Sequence, residues 1–133
     1  MSRIETRESV VVFIYQTTFK EELTFQEQFD QFIALNEDLK DDIEYFEKVA
    51  SGVYHKKQEL DDEISKYLKK WTINRLPRVD VAILEVAAYE IMFCEDIPTS
   101  VAINEAVKLS KKYGTDDTPA YINGVLSSLE KSQ

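Results

Sequence analysis

Residues 75–91 read Arg75-Leu76-Pro77-Arg78-Val79-Asp80-Val81-Ala82-Ile83-Leu84-Glu85-Val86-Ala87-Ala88-Tyr89-Glu90-Ile91. A helix drawn through this run is apolar on most sides, and the pattern extends to Phe93. Such a helix has little face to give to water. It predicts a central, buried element with other helices packed around it. Pro77 suits its first turn. Asp80, Glu85 and Glu90 punctuate the run. A solvent or interface stripe is the commoner reading of such a set, and a catalytic carboxylate group the rarer one.

Outward from this segment, the rest of the chain keeps a helical period. On the N-terminal side, Leu60, Ile64, Tyr67, Leu68 and Trp71 predict one helix. Leu39, Ile43, Phe46, Ala50 and Val53 predict another, weakened or ended at Gly52. Phe25, Phe29, Phe32 and Ile33 follow a capping-box pair, Thr24 and Glu27. Val10, Phe13, Ile14 and Thr17 share a face of the first helix, behind Arg3 and Arg7. On the C-terminal side, Pro98 with Thr99 or Ser100 opens a helix through Ala102, Ile103, Ala106, Val107 and Leu109, and Gly114 ends it. Thr118 and Pro119 read as N-cap and first turn of a last helix through Ile122, Val125, Leu126 and Leu129. Residues 10–14 are β-prone, but no second strand candidate exists to pair with them. The expectation is an all-α fold of about seven helices, one domain over residues 1–133.

The composition fits. The chain has 133 residues, 44 % hydrophobic and 31 % charged, with three Gly and three Pro. That is enough for one sizeable core and too few turn residues for a sandwich. A single cysteine excludes a disulfide framework. No segment is apolar for long enough to span a bilayer, and the N-terminus lacks a signal-peptide core. These features predict a reduced, cytoplasmic protein.

Net charge is −9. Taken whole, this argues against nucleic acid. Its distribution does not, because residues 21–63 hold fourteen acidic and four basic groups, while residues 64–133 hold nine of each. The excess sits in one third of the chain, where solubility is the simpler purpose.

Catalytic and metal-binding constellations are missing. His55 is the only histidine, with no ligand cluster around it. Cys94 sits in an apolar segment and reads as a structural thiol. No phosphate-binding glycine loop occurs. The pairs Asp41-Asp42 and Asp61-Asp62 lack calcium-loop spacing. A binding module without cofactor or metal is expected.

Arg3 and Arg7 oppose the dipole of the helix they open, a cost that a phosphate partner would offset; two solvated arginines tempered by Glu5 and Glu8 are the plainer reading. Lys108, Lys111 and Lys112 crowd a helix C-terminus, where the dipole alone accounts for them. Arg75 and Arg78 flank Pro77 as carbonyl caps, Asp80 partners or contacts to a partner. Asp116 and Asp117 suit the start of the last helix. Tyr121, in its first turn, is either a core residue or a platform for an unpaired base.

Residues 75–91 resemble the R-L-x-R-V-D-x-A-I-L-x-x-A-x-Y-E-L stretch of the NusB family. Asp96-Ile97-Pro98-Thr99-Ser100-Val101-Ala102-Ile103-Asn104-Glu105-Ala106-Val107 then resembles its D-I-P-x-x-V-A-I-N-E-A-V, and Tyr121-Ile122-Asn123-Gly124-Val125-Leu126 its F-V-N-G-V-L. Arg7 to Gln16 is similar to the family's start. The resemblance implies two small packed helical bundles and no catalysis. It implies a partner, NusE (a small-subunit ribosomal protein), and a ligand, boxA RNA of ribosomal RNA leaders. The heterodimer joins an RNA polymerase antitermination complex, and self-association of the free protein stays open. By position, Arg3, Arg7, Tyr121 and Asp117 match RNA-facing residues, and Tyr15 and Asp80 match NusE-facing ones. Asn104, Glu105, Asn123 and Gly124 match signature positions read here as structural. The chain departs from the family pattern in two places: Ile4, Glu5 and Thr6 separate the two arginines, and Ala120 stands where a lysine is frequent. A protein-interaction scaffold, or an RNA-binding module serving a separate RNA methyltransferase, are the rival expectations.

Overall fold

The computed structural model describes residues 1–133, and all regular structure in it is helical. Seven α-helices follow one another: α1 (Arg3–Thr17), α2 (Phe25–Leu35), α3 (Ile43–His55), α4 (Lys57–Ser65), α5 (Arg78–Phe93), α6 (Thr99–Tyr113) and α7 (Thr118–Lys131). Two short 3-10 turns, Glu37–Asp42 and Ile73–Arg75, precede α3 and α5. No helix is long and apolar enough to cross a membrane.

Local chemistry sets the helix starts. Ser2 and Glu5 form a capping box ahead of α1, and Thr24 and Glu27 form the expected one ahead of α2. Each box satisfies two orphan donors at once. Pro77 and Pro98 stand one residue before α5 and α6, in extended backbone. Gly114 ends α6.

The helix α5 is the hub, packed against α1, α3, α4, α6 and α7. Val81 to Tyr89 is buried without a break, as an all-round apolar pattern requires. The helices α1 to α3 form an N-terminal group around Phe13, whose ring meets Phe25, Phe29, Phe32 and Phe46 edge-on at 5.3–6.3 Å. The helices α6 and α7 form a C-terminal pair that packs on α5 as well. One continuous core of 33 buried residues joins the two groups.

Several expectations give way. The fourth helix stops at Ser65, so Trp71 lies beyond it and is 57 % exposed. Gly52 does not end α3. It sits inside the helix, where a Cβ would lie 2.1 Å from the Tyr89 ring, so glycine is there for close approach. Thr118 is not the cap of α7. It is buried, and its Oγ1 accepts from the Thr115 amide at 3.0 Å, while Asp117 holds the capping position with no side-chain bond. Asp80, Glu85 and Glu90 form no solvent stripe, being 2 %, 1 % and 0 % exposed. Each carboxyl group is tied to a different neighbouring helix, which gives these buried polar groups partners inside the core.

Candidate nucleic-acid interface

Arg7 and Glu90 come from opposite ends of the sequence and meet in the core. Arg7 Nε donates to Glu90 Oε1 at 2.9 Å and Nη2 to Oε2 at 3.0 Å, a two-pronged pair. The Tyr45 hydroxyl donates to Glu90 Oε2 at 2.9 Å. Burial works against the arginine charge, but the bond and attraction to Glu90 outweigh it and raise the Arg7 pKa. Arg7 is therefore not a solvated arginine, and its guanidinium faces Glu90 instead of the surface. Its side chain is spent on locking α1 to α5.

Arg3 remains at the surface, one turn earlier. Its Nε donates to Asp42 Oδ2 at 2.7 Å, and its guanidinium lies 4.2 Å from the Tyr45 ring centre. The bond to Asp42 is the main cause of its raised pKa, against the cost of partial burial. The neighbouring Asp41 accepts from the Met1 amino group at 2.7 Å. Part of the acidic block thus holds the N-terminal cations, beyond any effect on solubility.

Asp80 and Tyr121 form the second node. The Tyr121 hydroxyl donates to Asp80 Oδ2. Asp80 is buried beneath this contact, so it offers no free carboxylate to a partner, contrary to the partner-facing expectation. Burial pushes its pKa up, and the tyrosine bond opposes that only in part. The phenol is likewise pushed up, by burial first and then by Asp80. The Tyr121 ring is half-buried near the start of α7, with Asp117 exposed four residues before it. Ten helical residues, about 15 Å along α5, separate Asp80 from Glu90. The candidate RNA residues thus divide between the two ends of the hub helix.

Tyr15 is 36 % exposed, and its ring packs at 5.1 Å against that of Phe19, which is 59 % exposed. Sequence reasoning missed Phe19 and a third node. Lys112 Nζ lies 2.6 Å from Glu8 Oε2, and the Tyr113 hydroxyl donates to the same oxygen. Lys112 is therefore more than a dipole complement; it ties the end of α6 to α1. The only signal for it was an aromatic beside two lysines ahead of Gly114. Asn104, Asn123 and Gly124 are exposed, and neither carboxamide makes an intramolecular bond. A Cβ at Gly124 would meet nothing. Asn104 and Asn123 line an open groove between α6 and α7 without bonding across it, so these signature positions do not tie the helices together by hydrogen bonds.

With the fold and these nodes in place, the matching family model is NusB, over residues 4–131. This chain belongs to the NusB family. It is 43 % identical over 122 residues to the transcription antitermination protein NusB of Clostridium tetani, covering 86 % of this chain and 80 % of that protein. NusB of T. maritima has a similar structure, with a TM-score of 0.86 and 30 % identity, covering all of this chain and 93 % of that one. A crystal structure of the antitermination factors NusB and NusE in complex with double-stranded RNA matches over the whole of both chains. Its TM-score is 0.83 at 24 % identity, a likeness of fold.

Proposed function

We propose that this NusB-family chain is a transcription antitermination factor that pairs with NusE and, as a heterodimer, binds boxA-type RNA of ribosomal RNA leaders on RNA polymerase. The family match over residues 4–131 carries the reading. In it, Arg3 contacts phosphate by exchanging Asp42 for the nucleic acid. Tyr121 offers its ring to an unpaired base, with Asp80 positioning it. Asp117 borders that face, and the exposed Tyr15 lies against NusE. No cofactor or catalytic step is involved. The continuous core supports treating residues 1–133 as one domain, and a cytoplasmic location follows from the role.

A second reading, a scaffold with little RNA affinity of its own, draws on the burial of Arg7 and the net charge of −9. A salt titration of binding to a short boxA RNA, with the chain alone and with NusE, separates the two. Tight binding only with NusE, lost when the RNA is scrambled, is the expected result. Heterodimer formation with no RNA preference would establish the scaffold instead.

A further inference from the structure

We infer that the segment joining α4 to α5, residues 69–78, is a second RNA-binding patch, in which Trp71 stacks on an unpaired base while Lys69, Lys70, Arg75 and Arg78 contact phosphates. The inference rests on the RNA reading above and adds a surface that the match to the family start does not supply.

Three observations carry it. First, Trp71 is 57 % exposed. Because α4 ends at Ser65, this side chain lies beyond the packed stripe of Leu60 and Ile64. Leaving so large an apolar ring in water forfeits a substantial burial energy, which a partner that covers it recovers.

Second, the four cations are exposed and none is in an ion pair. Eight others, Arg3, Arg7, Lys48, Lys56, Lys57, Lys66, Lys108 and Lys112, lie within 4.0 Å of a carboxylate, while the remaining unpaired ones, Lys20, Lys40, Lys111 and Lys131, are spread over other parts of the sequence. No acidic residue occurs between Glu63 and Asp80, and Asp80 is buried. In a chain of net charge −9, this is a locally positive stretch interleaved with an aromatic, the arrangement by which single strands are held without a fixed sequence.

Third, the patch adjoins a node already described. Leu76 is buried and anchors the segment, and α5 begins at Arg78. Asp80, two residues on, holds the Tyr121 hydroxyl. The segment therefore leads directly into the end of the hub helix at which Tyr121 is held. Charge sign and an aromatic platform favour a single-stranded RNA over an acidic protein as the occupant.

Trp71 is the chain's only tryptophan, so its emission reports the patch directly. The experiment uses the full chain with a tryptophan-free NusE and a dye-labelled single-stranded boxA RNA, following RNA anisotropy and tryptophan emission together. The expected result is saturable quenching that tracks the anisotropy. Trp71→Ala should weaken RNA binding roughly tenfold or more, and Trp71→Phe should retain most of it. Lys69→Gln with Lys70→Gln should make the plot of log affinity against log salt shallower by about 1.4. RNA binding with unchanged emission and unaltered variants would overturn the patch while leaving the proposed function intact. Quenching by NusE without RNA would make the segment a protein interface and overturn it too. No RNA binding by the heterodimer at any salt would remove the proposed function, and the patch with it.

Discussion

Arg7 shows how a residue's role depends on one distant partner. Its position, three residues before Val10 and seven before Ile14, puts it in line with the apolar stripe of α1, yet an arginine there reads from sequence as a solvated or phosphate-facing residue. Its partner was not legible, because Glu90 lies 83 residues away and only the packing of α1 on α5 brings them together. The pair is 5 % and 0 % exposed in its side chains, so neither charge has water to fall back on. Arg7→Met leaves Glu90 with only the Tyr45 hydroxyl. Unfolding by urea should show a loss of about 3–5 kcal/mol, the cost of an uncompensated buried charge. A loss below about 1 kcal/mol would mean that water reaches Glu90. Arg3→Ala removes only an exposed pair, worth about 0–1 kcal/mol, so the two arginines should separate clearly in the same assay. On RNA affinity the order reverses, with Arg3→Ala weakening heterodimer binding and reducing its salt slope by about 0.7.

At the level of helices, period and caps were readable wherever a helix is held by its own apolar stripe. The boundaries of α1, α2, α5 and α6 follow from such local signals. The end of α4 was not readable, because Tyr67, Leu68 and Trp71 continue a helical spacing after the chain has turned away. Spacing records which residues would share a face if the helix continued; it does not say that it continues. Glycine was similarly ambiguous. Gly52 and Gly124 both lie inside helices, yet one presses against Tyr89 and the other faces open space. Gly52→Ala must displace the Tyr89 ring and should cost about 1–3 kcal/mol by overpacking. Gly124→Ala fills nothing and restricts the unfolded chain, so it should stabilise by about 0.4–1 kcal/mol. Thermal unfolding of the two variants should therefore shift in opposite directions. Equal shifts would mean that Tyr89 relaxes freely.

For the molecule as a whole, the sign of the net charge was misleading, because charge here is sorted by place. Buried carboxylates are consumed by the core, the Asp41-Asp42 pair restrains the N-terminal cations, and the unpaired cations of residues 69–78 are left to face outward. Within the core the least comfortable carboxylate is Glu85. Burial pushes its pKa up to about 8 from an ordinary 4.5, Asp61 adds to the shift, and Lys57, 2.7 Å away, opposes it only in part. Asp80 shifts in the same direction, also through burial. For an acid with a raised native pKa, the folded state binds the proton more tightly than the unfolded chain does. Between the unfolded value of 4.5 and the folded value of about 8, unfolding therefore releases protons, and stability falls as pH rises. Below that window the contribution is fully present. The melting temperature should decline steadily from about pH 5 to about pH 8 and level off above it. Glu85→Gln keeps the shape and a hydrogen-bonding group for Asp61 while removing the titration, so it should flatten most of that slope, with Asp80 contributing in the same direction. A wild-type melting curve flat across the window, or a slope unchanged in Glu85→Gln, would show that Lys57 holds Glu85 ionised and that α5 carries a charged pair at its centre.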